Sequence, residues 1–182
     1  KNPNKKGFVS YHQDAKYIGL EPHNWVTAWV ALTNSNENNG CMKMWPGSHL
    51  DIKDHNEKFD EGNLLTRGQT VENVPENEIK SIELTAGQMS LHHPRIVHGS
   101  GINKSNDRRI GFVIQSYIGT NVKQTLGKNS VQVARGEDKY NYHEVIDRSS
   151  TLMSKKNIIL KKKENDNLQE IFYMGAKKKG FY

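Results

Sequence analysis

Phe8-Val9-Ser10-Tyr11-His12 reads as a short β-strand, and His12-Gln13-Asp14 at its end sets an imidazole and a carboxylate at positions i and i+2. In a strand such side chains point the same way, because the pleat repeats every two residues. His12 and Asp14 are therefore expected to face a common point. A third ligand from a distant strand would complete two histidines and one carboxylate on one face of Fe(II), leaving three positions open. Alone, a His-x-Asp triplet is weak, since it arises often by chance. The segments around it have to decide its meaning.

Asn24-Trp25-Val26-Thr27-Ala28-Trp29-Val30-Ala31-Leu32-Thr33 is a longer strand, rich in β-branched and aromatic residues. Cys41-Met42-Lys43-Met44-Trp45 alternates again before Pro46-Gly47-Ser48-His49 stops it. Residues 50–79 are charged and carry no strong period, which marks a surface excursion of the kind that serves as a lid or stays disordered. Gln88-Met89-Ser90-Leu91-His92 and Arg109 to Tyr117 are further strands; Ile110, Phe112 and Ile114 share one face of the latter, toward an outer packing layer. Many short strands with Gly, Pro and Asn between them argue for a sandwich or barrel. The tail after about Thr151 is the one segment with helical spacing, through Leu152, Ile158, Ile159, Leu160, Leu168, Ile171 and Phe172. One domain over 1–182 is expected, with a core over 8–118 and a helical extension over 119–182.

The 182 residues carry a formal charge of +6, and its location decides what it means. Residues 1–150 hold 18 Lys/Arg against 17 Asp/Glu, while residues 151–182 hold 8 against 3. The surplus sits in Lys155, Lys156, Lys161, Lys162, Lys163 and Lys177, Lys178, Lys179, between the apolar positions of the helix. That is how the wet face of a surface helix looks, so no nucleic-acid partner is expected. Cys41 is the only cysteine, which excludes an internal disulfide and a cysteine-built zinc site. No apolar run reaches the roughly 18 residues of a membrane span. A soluble, cytoplasmic protein with a small-molecule substrate is the expectation. The chain begins without Met and runs at once into a strand, so an upstream N-terminal segment is expected to be missing from it.

His92, His93 and His98 are the candidates for a third ligand. His98 closes a strand, is followed by small residues and lies shortly before Arg108-Arg109. A dicarboxylate needs a planar bidentate donor for its far end, which Arg provides and Lys does not. In the pleat Arg109 shares a face with Gly111 and Val113, opposite Ile110, Phe112 and Ile114, and so points inward. A lone histidine beside a turn, as with His49, His92 and His93, is more often structural.

These residues together resemble the phytanoyl-CoA dioxygenase family of Fe(II)/2-oxoglutarate oxygenases. The likeness runs through Tyr11-His12-Gln13-Asp14 to Tyr17, Val26-Thr27-Ala28-Trp29, Asn39-Gly40-Cys41 and Pro46-Gly47-Ser48-His49. It continues through Ala86-Gly87-Gln88, His92-His93, His98-Gly99-Ser100-Gly101-Ile102-Asn103 and Arg108-Arg109-Ile110-Gly111, in the family's order and near its spacing. The resemblance implies a double-stranded β-helix, a jelly-roll or cupin-like barrel with the metal inside. It implies His12, Asp14 and His98 as iron ligands and Arg109 as the anchor of 2-oxoglutarate, with Ser100 and Trp29 beside that co-substrate. Trp29 reads equally as core, Ser100 as the cap of its turn, and Tyr17 as either a substrate-entrance residue or a half-buried aromatic. Related halogenating enzymes replace the carboxylate, so Asp14 favours hydroxylation. The implied reaction converts 2-oxoglutarate to succinate and carbon dioxide and hydroxylates an unactivated C–H bond of a small metabolite or acyl thioester. The alternative is a barrel that binds metal or ligand without turnover; the oligomeric state is not legible.

Overall fold

Residues 1–147 and 153–176 are described by the structure, a computed structural model. In chain order the first elements are β1 (Val9–His12), a single helical turn α1 (Ala15–Ile18), β2 (Leu20–Glu21), β3 (Trp25–Ala31) and β4 (Met42–Met44). There follow β5 (Asn56–Glu57), β6 (Gln69–Thr70), β7 (Lys80–Ile82), β8 (Met89–His92), β9 (His98–Ser100) and β10 (Gly111–Ile118). The last part holds β11 (Lys123–Gln124), β12 (Ser130–Val131), β13 (Glu144–Val145) and the C-terminal helix α2 (Lys155–Tyr173). The fold is mainly β with one long helix at its end. No described helix is long and apolar enough to cross a membrane.

Two antiparallel sheets position everything that follows: β1-β9-β4-β7 and β10-β3-β8. β3 forms because all its residues except Ala28 and Ala31 are β-branched or aromatic, and it is central in its sheet. Its Trp25 and Thr27 are buried on one face. Gly111 opens β10 without a side chain because a Cβ there would overlap the Trp29 indole. The segment 50–79 is folded rather than loose: β5 and β6 pair, Val71 N–H donates to Tyr11 O at 2.7 Å, and Arg67 pairs with Glu57.

The outer packing layer expected over Ile110, Phe112 and Ile114 is absent among the described residues. Phe112 is 56% exposed, Ile114 43% and Leu91 of the same sheet 66%. Alternation within one strand tells which residues share a face, and it cannot tell whether anything covers that face. The helix expected after Thr151 is present as α2, started by Ser154, whose hydroxyl accepts from Asn157 N–H at 3.3 Å. Its apolar pattern is used unevenly: Ile158 and Ile159 are exposed, while Ile171 is buried and Phe172 packs on a cluster of Ile18, Leu20, Trp25 and Val122. Leu152 and the Lys177–Lys179 cluster lie outside the described residues.

Candidate metal centre

His12 and His98 are direct cross-strand partners at the paired ends of β1 and β9. Opposed residues in an antiparallel pair lie close enough to touch, and the two rings stand 4.3 Å apart between centroids. Each ring is held by its own strand. His12 Nδ1 bonds Ser10 O at 2.9 Å, and His98 Nδ1 bonds Ile96 O at 3.0 Å. A carbonyl accepts only, so Nδ1 carries the proton in both rings and each Nε2 keeps a free lone pair. His12 Nε2 lies 3.3 Å and His98 Nε2 3.9 Å from Asp14 Oδ1. Ligand atoms of these three buried residues all fall within 4.8 Å of one another, the only such group among the described residues.

Asp14 reaches this point by a route the strand reading missed. β1 stops at His12, and Asp14 has helical dihedrals (φ −57°, ψ −40°) at the head of α1, its carbonyl accepting from Tyr17 and Ile18 N–H. The cause is Gln13, which is completely buried. Its amide Nε2 donates to the carbonyls of Asp51 and Arg95, and its Oε1 accepts from Lys53 N–H at 2.8 Å. Its own backbone N–H donates to His55 Nε2 at 3.0 Å. These bonds pin the bend that swings Asp14 back toward the histidines. Thr27, from the other sheet, donates its hydroxyl to Asp14 Oδ2 at 3.2 Å, which leaves Oδ1 facing the imidazoles.

The electrostatics suit a cation. Burial pushes the Asp14 carboxyl up, but the neighbouring imidazoles of His98 and His12 more than offset it and hold the group well below the usual carboxylate range. Burial, with His12 alongside, pushes His98 down to about 3, so it stays neutral and able to ligate. One carboxylate and two neutral imidazoles form a donor set suited to Fe(II).

A row of orphaned polar atoms leads away from the triad. His92 Nδ1, Ser90 Oγ and Arg109 Nε are buried and have no hydrogen-bond partner. The His92 ring is 5.0 Å from that of His98, and along the sheet His92 stands opposite Thr27 and Ser90 opposite Trp29. Arg109, just before β10, places its guanidinium 5.1 Å from the Trp29 ring centroid. Buried polar groups are ordinarily paired, so a polar occupant belongs in this row. A dicarboxylate held at one end by the metal and at the other by Arg109 has the chemistry to satisfy it.

Of the remaining residues singled out in the sequence, Ser100 lies two residues along β9 from His98, on the same face by strand period, opposite Val9 and Met42. Tyr17 lines a cavity of about 230 Å³ that contains His12 and Asp14. Its ring meets His55 edge-on and lies under Arg67, and burial raises its hydroxyl to about 12. His49 and His93 face each other at 5.7 Å, away from the triad. Sequence reading gave no role to Gln13, Thr27 or His55. A Thr between two Trp residues on one strand face was the available sign for Thr27; none existed for the other two.

The family model for phytanoyl-CoA dioxygenase matches residues 1–111, more than half of the chain. The chain belongs to that family. The mouse peroxisomal phytanoyl-CoA dioxygenase is 27% identical over 159 residues, covering 81% of this chain and 46% of the relative. The family resemblance therefore spans about half the length of that curated protein. Among solved structures, the non-heme monooxygenase ThoJ is similar over 96% of this chain and 64% of its own, with a TM-score of 0.82 and 27% identity. A nickel complex of ThoJ matches with a TM-score of 0.75. The non-heme alpha ketoglutarate dependent carbocyclase SnoK covers 68% of this chain and 48% of its own, with a TM-score of 0.51 and 25% identity.

Proposed function

We propose that this chain is the core of an Fe(II)- and 2-oxoglutarate-dependent dioxygenase that hydroxylates an unactivated C–H bond of a small metabolite or acyl thioester. In this reading residues 1–182 form one domain, and the two sheets are the halves of a double-stranded β-helix. His12, Asp14 and His98 hold the iron. Arg109 holds the distal carboxylate of 2-oxoglutarate, with Trp29 and Ser100 beside it, and Tyr17 stands at the substrate side. The observation that carries the proposal is the pairing of a converged, tautomer-locked triad with a buried arginine that lacks a partner at Nε.

Iron held by these residues would activate dioxygen, the oxidant, with 2-oxoglutarate giving two electrons as it becomes succinate and carbon dioxide and the C–H bond giving the other two. The chain's own part is binding and orientation. Ser10 and Ile96 carbonyls fix the imidazole tautomers, Thr27 fixes the carboxylate, and Arg109 over Trp29 fixes the direction in which a dicarboxylate lies. Asp14 leaves no ligand position for a halide, which supports hydroxylation over halogenation.

Anaerobic addition of Fe(II) and 2-oxoglutarate should give a weak visible charge-transfer band, and oxygen should then yield succinate. His12→Ala and His98→Ala should lose both signals, with metal affinity down on the order of a hundredfold or more, beyond the loss typical of a supporting residue. Arg109→Ala should chiefly weaken 2-oxoglutarate binding. A band without succinate would favour a barrel that binds without turnover, and no band at all would sink the reading.

A further inference from the structure

The metal-side cavity is not closed. At about 230 Å³ it falls below the roughly 300–1,000 Å³ of ordinary ligand pockets. A second cavity of about 390 Å³ lies between β10, the segment 129–135 and α2. Both are lined by the same three side chains: Ile18 from α1, Gln115 from β10 and Phe172 from α2. The metal-side space reaches the size of a pocket that takes a metabolite only when joined to the second one, so the side chains at the junction decide how much space is usable from the metal.

Phe172 is the bulky aromatic of the three. It packs against the cluster that includes Ile18, so its ring is held rather than loose. The end of α2 is also tied to the wall of the metal-side cavity. Arg67 Nη1 donates to Met174 O at 2.9 Å, while the same guanidinium pairs with Glu57 and covers the Tyr17 ring. Residues 64–66, immediately before Arg67, line that cavity. Helix and loop thus form one joined wall. The second cavity has Arg135 and Asp138 in its lining, whereas among the described residues no charged side chain apart from Asp14 lines the metal-side cavity, whose apolar surface is Ile18, Leu64, Leu65 and Phe172. A charged group placed there would lose its hydration without gaining a partner.

We infer that Phe172 is a specificity-determining residue, setting how far an uncharged, apolar stretch of the substrate extends from the metal into the second cavity. This rests on the oxygenase reading only for what the metal does; the binding itself needs no iron.

The test uses straight-chain 1-alkanols, from hexanol to tetradecanol, binding to the metal-free protein and followed by ligand-observed NMR. In the parent chain, affinity should rise about fourfold per added methylene while the chain remains buried, then level off. Phe172→Ala should move the plateau to longer alkanols and Phe172→Trp to shorter ones. An aromatic with a purely structural role would lower the melting temperature and leave the length at the plateau unchanged. That unchanged length in all three proteins, or no alkanol binding to the parent, overturns the inference. Loss of the Fe(II)/2-oxoglutarate band in the parent would overturn the oxygenase reading and leave the length dependence standing.

Discussion

Thr27, Trp29, Ser90 and His92 stand on the inner face of the three-stranded sheet, and Ala28, Val30, Met89, Leu91, Phe112 and Ile114 stand on its outer face. The inner face is the more polar and the more buried; the outer one is apolar, and much of it is exposed. The usual division between an oily interior and a wet surface is reversed across a single layer of strands. Stability near the triad then depends on the bonds that Gln13 and Thr27 make, and the unpartnered atoms of Ser90, His92 and Arg109 subtract from it. The outer face, although apolar, contributes little among the described residues because it removes little area from water.

The sharpest way to break this contrast is at Gln13, whose buried side chain bonds the carbonyls of Asp51 and Arg95 and the N–H of Lys53 around the bend before Asp14. Gln13→Leu keeps the volume and removes those partners. Each buried group left unpaired costs about 1–3 kcal/mol, so a loss of roughly 3 kcal/mol is expected in urea unfolding. An unchanged midpoint would mean that water replaces the amide and that the bend does not depend on it.

Acid should weaken the same region. An unfolded histidine titrates near 6.5, whereas burial and the neighbouring His12 push His98 down to about 3. Below about pH 6.5 the unfolded chain takes up a proton that the folded chain resists, so stability falls as pH drops toward 3. At pH 5 the deficit from His98 is roughly 2 kcal/mol at 1.36 kcal/mol per unit. Burial also pushes His55 down to about 4, in the same direction; being more open to solvent, it adds less. Asp14 is ionised in both states over this window and contributes no slope. Denaturant unfolding of the metal-free protein at pH 7.5 and pH 5 measures the difference, and equal stability at both would contradict a neutral, buried His98.

A smaller effect is expected at Thr27, whose hydroxyl orients Asp14 across the gap between the sheets. Thr27→Val preserves shape and removes the donor. Groups that orient metal ligands are worth about ten- to a hundredfold in affinity, and the lower end suits a neutral hydroxyl at 3.2 Å. Metal titration of the variant checks it; affinity equal to the parent's would show that the carboxylate needs no support from the second sheet.

How much of this was legible beforehand divides along the same lines. His12, Asp14 and His98 are legible as one group because the family resemblance names all three; the His-x-Asp triplet alone is weak and leaves His92 and His93 as alternatives. Asp14 lies beside His12, but by a turn and not by the strand pleat, since β1 ends at His12 and the buried Gln13 makes the bend. His92 beside Thr27, and the row running to Arg109, depend on the register between β3 and β8, strands about 60 residues apart. Phe172 was legible only as one apolar position in a lysine-rich helix. Which part of such a helix docks is set by tertiary contact, and local spacing holds no record of it.

The smallest effect belongs to the outer face and tests the other half of the contrast. Phe112 is a large aromatic on the edge strand β10, and in a covered layer its truncation would cost about 3–5 kcal/mol. At 56% exposure most of its area already meets water. Phe112→Thr replaces one strand-favouring residue with another, aromatic with β-branched, so backbone preference changes little. The variant should unfold within about 0.5 kcal/mol of the parent, the ordinary range for a surface change. A loss of several kcal/mol would require that Phe112 be buried in solution, which would make the outer face an occupied surface and leave the inner row of polar side chains as only one of two places where this sheet draws its stability.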